Sequence, residues 1–316
     1  METTMGSLDL RVRLLGRLTR SSIADMDDND IARAQRPLSR NLLVDQLLGA
    51  AIAGIEIRDS TASGAESVVE VRTYRPCNTT HQPLPLIFNI HGGGFVIGSI
   101  EQCDWLCSNV AANVGALVVS VRYRTAPAHR WPTAVEDCYA ALVDVVERAA
   151  ELGADPSRVS VMGDSAGGNL AAVVALMARD RSGPMLANQV LIYPMTDLTL
   201  TSHSLDENAH APVIAKRDIV ASCNHYLGGQ DRRHPYASPL LAPDLRGLPP
   251  AMIQVAQYDP IRDDGLRYAK ALRAAGVAVR LTNYIGMPHG FLAFPKLCRS
   301  APQAVAEICA TLSASW

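Results

Sequence analysis

The chain has 316 residues, 48% of them apolar, with 29 basic against 31 acidic side chains and a formal net charge of −2. This is the profile of an ordinary globular protein with ample sequence for a core. Near-neutrality excludes a strong pull toward nucleic acid or anionic membrane, and no apolar run reaches the roughly 18 residues of a transmembrane helix.

The N-terminus lacks a secretory pattern; Leu8, Leu10, Arg11, Arg13, Leu14 and Leu15 suit an amphipathic helix instead. Leu42, Leu43, Gln46, Leu47 and Ala50 repeat at helical spacing, so residues 1–50 read as helical. Ile55–Asp59 and Val68–Tyr74 read as two strands joined by a Ser/Gly loop. Asn78-Thr79-Thr80 reads as a polar loop rather than a glycosylated one, in the absence of a secretory signal. Leu86–Ile90 and Leu117–Tyr123 are short apolar runs of the kind buried on both faces of a sheet. A helix follows from Thr133 to about Ala150, then a strand at Arg158–Gly163, a helix from Ala166 to about Asp180, and a strand at Gln189–Tyr193. From Thr199 to about Leu248 the strand–helix rhythm lapses, apart from a helical stretch at Lys216–Tyr226. It resumes with a strand at Ala251–Ala256, a helix at Asp264–Ala275 with Asp263 as N-cap and Gly276 as C-cap, a strand at Val277–Tyr284, and a last helix after Ser300 with Pro302 in its first turn. Alternating strands and helices imply a mainly parallel sheet covered on both faces. The expected division is 1–50 as N-terminal cap helices, 51–198 as the first part of the core, 199–248 as a cap insertion, and 249–316 as the second part of the core.

Seven cysteines without regular spacing read as reduced thiols of a cytoplasmic protein. Cys103 and Cys107 have no second pair or histidine cluster to complete a zinc site, so no metal is expected.

Gly163-Asp164-Ser165-Ala166-Gly167 ends a strand and opens a helix, the setting in which G-x-S-x-G presents a nucleophilic serine. Its glycines permit the tight turn, and the helix N-terminus favours negative charge. His91-Gly92-Gly93-Gly94 ends another central strand, where backbone N–H groups can stabilise an oxyanion. His289 lies just past the last strand, and Asp259 follows the strand before it, which makes them the candidate base and orienting acid. The order Ser165, Asp259, His289 is the one expected of this arrangement. Asp263 and Asp264 lie nearer the helix start and read as caps, His91 as part of its own loop, and His129, His203, His210, His225 and His234 as surface or packing residues.

HGGGF at 91–95, GDSAGGNL at 163–170, YDPIRDDG at 258–265 and HGF at 289–291, with YRTAPAHRWPTAVED at 123–137 and SPLLAPDLRGLPP at 238–250, resemble the signatures of the hormone-sensitive lipase-like esterases. The resemblance covers roughly residues 68 to 293. It implies an α/β-hydrolase fold with a mostly parallel eight-stranded sheet, flanking helices and a helical cap. It places a triad on Ser165, Asp259 and His289 and oxyanion donors on Gly93, Gly94 and Ala166. It implies hydrolysis of esters with short to medium acyl chains and no cofactor. The chain departs from the family at Thr125 and Ala128, where members commonly carry Leu and Glu. Phe95, directly after the oxyanion loop, and Trp131 are candidates for the substrate pocket, as is Trp105. An amidase or peptidase using the same triad, a receptor lacking catalysis and a lipase acting at lipid surfaces are the competing readings. The expected partner is a small ester, with no nucleic acid and no stable membrane insertion; the last strand is a candidate edge for a homodimer.

Overall fold

The computed structural model describes residues 22–79 and 83–316. The amphipathic segment expected at Leu8–Leu15 lies outside them, as does Thr80. Eight strands form one sheet: β1 (Ile55–Ser63), β2 (Val68–Pro76), β3 (Leu84–Ile90), β4 (Leu117–Arg122), β5 (Ala154–Asp164), β6 (Asn188–Ile192), β7 (Ala251–Tyr258) and β8 (Val279–Pro288). Their order is β1-β2-β4-β3-β5-β6-β7-β8. β2 runs antiparallel to both of its neighbours, and the pairs from β4 through β8 are parallel.

The central strands are apolar throughout because helices cover both faces. Leu86, Phe88 and Ile90 enter one buried cluster and Ile87 the other; Val119 and Val121 enter the first and Val118 the second. Asn89, the one polar residue within β3, is wholly buried, and its amide donates to Ser120 Oγ at 3.0 Å.

Helices α1 (Asp28–Ala34) and α2 (Leu42–Leu48) precede the sheet. Then come α3 (Asp104–Val114), α4 (Thr133–Glu147), α5 (Ala166–Asp180), α6 (Ser204–Glu207), α7 (Lys216–Leu227), α8 (Arg262–Ala274) and α9 (Ala301–Ser313). The first face is covered chiefly by α4, α5 and α8. On α4 the buried residues Ala134, Val135, Cys138, Ala141, Leu142 and Val145 follow the helical repeat. The second face is covered by α3 and α9, which supply Leu106, Val110, Val305 and Ile308. Helix α5 is buried from Ala166 to Ala178, as a helix at the centre of the molecule must be.

The helix expected at 264–275 begins at Arg262, with Ile261 rather than Asp263 at its N-cap. Both acids of that first turn serve another purpose, because they tie down the segment between β6 and β7. Asp263 accepts the Ser204 N–H at 2.9 Å and pairs with Arg262. Asp264 accepts the Asp197 N–H at 3.1 Å and the Ser202 hydroxyl. Asp197 in turn holds Thr199, Thr201 and Arg267. Gly276, at φ +80°, lies one residue beyond the C-cap Ala275.

Burial, with Asp197 adding to it, raises the Asp264 carboxyl to about 7 from an ordinary 3.8. The native state therefore keeps a proton that the unfolded chain releases, and stability falls as pH rises from about 4 to about 7. Asp264→Asn removes this component. The stability of the variant relative to wild type is expected to climb steadily with pH across that window in parallel urea titrations. A pH-independent difference would show that Asp264 ionises normally.

No disulfide joins any of the seven cysteines, and among the described residues no helix is long and apolar enough to cross a membrane. β8 lies at the sheet edge, where a second copy would have to pair if the anticipated dimer forms through it.

Candidate active site

β5 runs straight into α5 through Ser165, whose backbone has φ 55° and ψ −118°. A non-glycine residue held there carries about 1–3 kcal/mol of strain. The turn is tight enough that a side chain on Gly167 would collide with the Ile90 carbonyl at the end of β3. Ser165 N–H donates to Ile192 O of β6 at 2.8 Å, and Asn169, one turn along α5, donates to the Met195 and Ala237 carbonyls. The serine is thereby fixed by the elements on either side of it.

His289 follows β8, and its Nε2 lies 2.8 Å from Ser165 Oγ. Its Nδ1 lies 2.8 Å from Asp259 Oδ2. Asp259 ends the β7 segment and is wholly buried. Its other oxygen accepts the Ile261 N–H at 2.8 Å, and its carbonyl accepts Asn208 Nδ2 at 3.2 Å. The carboxylate thus has one oxygen anchored to the backbone and one committed to the imidazole. The Tyr193 ring packs against the imidazole, with centroids 4.8 Å apart. Gly290, in the left-handed conformation at φ 71°, turns the chain away directly after His289.

The loop after β3 lies beside the serine. Gly92 N–H donates to Asp164 Oδ1 at 2.8 Å, and Gly92 O accepts Gln102 Nε2 at 3.1 Å. At Gly93, with φ 129°, any side chain would collide with the Ile97 carbonyl, because the Val96 and Ile97 N–H groups fold back onto Gly93 O. Among the described residues neither the Gly93 nor the Gly94 N–H has a protein acceptor. Ala166 N–H belongs to the first turn of α5, where intrahelical acceptors are lacking. His91 is sealed beneath this loop. It stacks on Tyr123 at 4.4 Å, and burial lowers its pKa to about 4, so it is neutral at physiological pH. Its Nδ1–H then donates to Gly92 O at 2.8 Å.

Asp164 was not singled out in the sequence, although it stands inside the G-x-S-x-G motif. It ties the serine turn to the glycine loop, and desolvation raises its carboxyl to about 6. Tyr193, Asn169 and Asn208 were likewise missed. Asn169 was legible as the asparagine following the glycines, whereas Asn208 and Tyr193 carry no local pattern.

The expected pocket residues are distributed differently. Phe95 is wholly buried and stacks on Tyr226 of α7, with centroids 3.9 Å apart and planes 4° from parallel. Trp131 donates from its indole N–H to Tyr236 O at 3.1 Å and packs on His234, contacts that belong to the segment between β6 and β7. Trp105 does line a narrow cleft with Leu48, Leu106, Tyr193, Leu292 and Asp164. The cleft is contiguous with the residue preceding Ser165 and with the ring that packs on His289. His129, His203 and His210 are exposed, and His234 packs on Trp131.

Comparison with known proteins agrees with this architecture. A family model described as the α/β hydrolase fold matches residues 87–293. Over 248 residues, 77% of either chain, the sequence is 44% identical to the carboxylesterase NlhH of Mycobacterium tuberculosis. It is 35% identical over 243 residues to the ethyl acetate hydrolase of Pseudomonas putida, covering 75% of this chain and 76% of that one. A hyperthermophilic esterase from the archaeon Pyrobaculum calidifontis superposes with a TM-score of 0.86 at 37% identity, over 96% of both chains. With that extent of match in sequence and fold, the chain belongs to the hormone-sensitive lipase-like family of α/β-hydrolases.

Proposed function

We propose that this ester-hydrolysing enzyme cleaves carboxylic esters of short to medium acyl chains through an acyl-enzyme formed on Ser165. The observation that carries the reading is the unbroken relay from Ser165 Oγ to His289 Nε2 at 2.8 Å and from His289 Nδ1 to Asp259 Oδ2 at 2.8 Å. A hydroxyl is a weak nucleophile until a neighbouring base takes its proton. His289 accepts that proton as Ser165 attacks the ester carbonyl, and Asp259 fixes the tautomer and balances the imidazolium charge. The carbonyl oxygen becomes an oxyanion, met by the N–H groups of Gly93, Gly94 and Ala166. His289 then protonates the departing alcohol. In the second half it activates the water that releases the acid and regenerates Ser165.

Of the cap expected at 1–50 and 199–248, residues 1–21 lie outside the described residues; residues 22–50 and 199–248 act as the cap over this centre. Within the described part, Asn208 holds the Asp259 carbonyl, and Val213 lies beside Gly290. A short acyl preference is supported by the name of the Pseudomonas putida relative.

The test is a comparison of p-nitrophenyl esters from acetate to decanoate with the matching p-nitroanilides. The expected result is kcat/KM highest for the short and medium esters, and anilide turnover lower by at least about 10²-fold, the range of a general-acid contribution that amide expulsion demands. Anilide turnover equal to ester turnover would establish an amidase. No turnover of either, with no covalent uptake of a phosphonate, would establish a binding protein.

A further inference from the structure

We infer that Gln35 is a positioning residue for the oxyanion loop, acting by holding the carbonyls of Val96 and Ala126; the inference rests on the esterase reading above. Gln35 closes α1, its backbone N–H donating to Ile31 O at 3.0 Å. Its side chain leaves the helix and places Nε2 2.8 Å from Val96 O and 2.9 Å from Ala126 O. A primary amide has two N–H donors, and both are committed to these two carbonyls.

The two carbonyls belong to neighbouring loops. Ala126 N–H donates to Phe95 O at 2.9 Å, which joins them on one side through the backbone. Gln35 joins them on the other. Both attachments, at Phe95 O and Val96 O, fall within the turn from Gly93 to Ile97, which is closed by Val96 and Ile97 donating to Gly93 O at 3.1 and 2.9 Å. The conformation of that turn sets where the Gly93 and Gly94 N–H groups aim.

Helix α1 is itself held in place. Asp27 and Asp30 form a reciprocal capping box, and Ile31 is 2% exposed. Upstream, Ser22 hydrogen-bonds Asp218 on α7, and Asp25 pairs with Arg217 at 2.8 Å. Ile23 Cδ1 lies 3.2 Å from where a side chain on Gly94 would begin. Consecutive loop residues are therefore each gripped from the same side: Gly94 by Ile23 and Ser222, Phe95 by Tyr226, and Val96 by Gln35. Of these, Gln35 supplies the polar link, and its loss would leave two carbonyls without their side-chain donor.

Charge on the ester oxygen appears only in the transition state, so misaimed donors lower kcat and spare KM. Two near-isosteric changes remove the donors. Gln35→Met has no polar atoms to offer, and Gln35→Glu turns an acceptor toward two carbonyl oxygens. Gln35→Lys keeps donors and serves as the rescue.

The experiment measures kcat and KM on p-nitrophenyl acetate per active site titrated with a p-nitrophenyl phosphonate, so that misfolded protein is not counted. Met and Glu variants are expected to lose about tenfold in kcat, a modest fraction of what deleting an oxyanion donor costs, with KM within about twofold of wild type. Binding of a trifluoromethyl ketone, which forms the tetrahedral adduct, should weaken by the same factor, while binding of acetate, the product, stays unchanged. The Lys variant should retain most of the wild-type kcat. Wild-type kcat per titrated site in the Met and Glu variants would overturn the inference, and so would a Lys variant as impaired as Met. A wild-type protein that neither turns over ester nor takes up the phosphonate defeats the esterase reading and this inference together.

Discussion

Ser165→Ala is expected to lower kcat for p-nitrophenyl acetate by about 10⁴- to 10⁶-fold, the range seen when a nucleophile is deleted from such a relay. The fold should survive the change. The contacts that fix this turn are made by the backbone, with Ser165 N–H donating to Ile192 O and Ser165 O accepting from Asn169 and Met195, and alanine leaves them all in place. The residual rate then measures what the oxyanion donors and binding achieve without a nucleophile. A variant that keeps a tenth of the wild-type rate, with an unchanged circular dichroism spectrum, would move the nucleophile elsewhere.

Asp259→Asn should cost about 10⁴-fold in kcat near neutral pH. The reason is a proton in the wrong place. Ile261 N–H donates to Asp259 Oδ1 at 2.8 Å, so the asparagine carbonyl oxygen takes that position and its NH₂ faces His289 Nδ1. An amide N–H pointing at Nδ1 requires a lone pair there and forces the imidazole proton onto Nε2. The nitrogen 2.8 Å from Ser165 Oγ is then a donor, unable to accept the serine proton. Steady-state kinetics between pH 6 and 9 test this directly. A loss under tenfold would mean that Asp259 orients the ring without setting its tautomer.

Much of the framework was legible because its physics is local. β3 and β4 announce themselves as short runs that are apolar but for Asn89 and for Ser120 and Arg122, since both faces of each are covered. The triad order follows from where the strands end. Two features were hidden. Helix α3, Asp104–Val114, went unread because its buried set includes Asp104, Cys107, Ser108 and Ala111 alongside Leu106 and Val110, which blurs the apolar stripe. β1 continues to Ser63, paired with Val68, through Ser60-Thr61-Ala62-Ser63, an edge sequence too polar to read as a strand.

Phe95 was taken for a pocket wall from its place after the glycines. Its role is decided by Tyr226, more than a hundred residues away, and no local pattern predicts that stack. Asp263 and Asp264 looked like helix caps because acids favour first turns, yet their partners at Ser204, Asp197 and Ser202 come from a segment whose own pattern is irregular.

The three residues of the relay lie at positions 165, 259 and 289, and the last of them follows a strand that, among the described residues, lies at the sheet edge and pairs with β7 alone. During synthesis the serine turn and the glycine loop can assemble while the histidine is still unmade. The proposed catalytic centre is complete only once β8 has docked beside β7. The onset of ester cleavage in a refolding time course is accordingly a clock for that docking, and chains cut short before β8 should collapse and bury apolar surface yet stay silent.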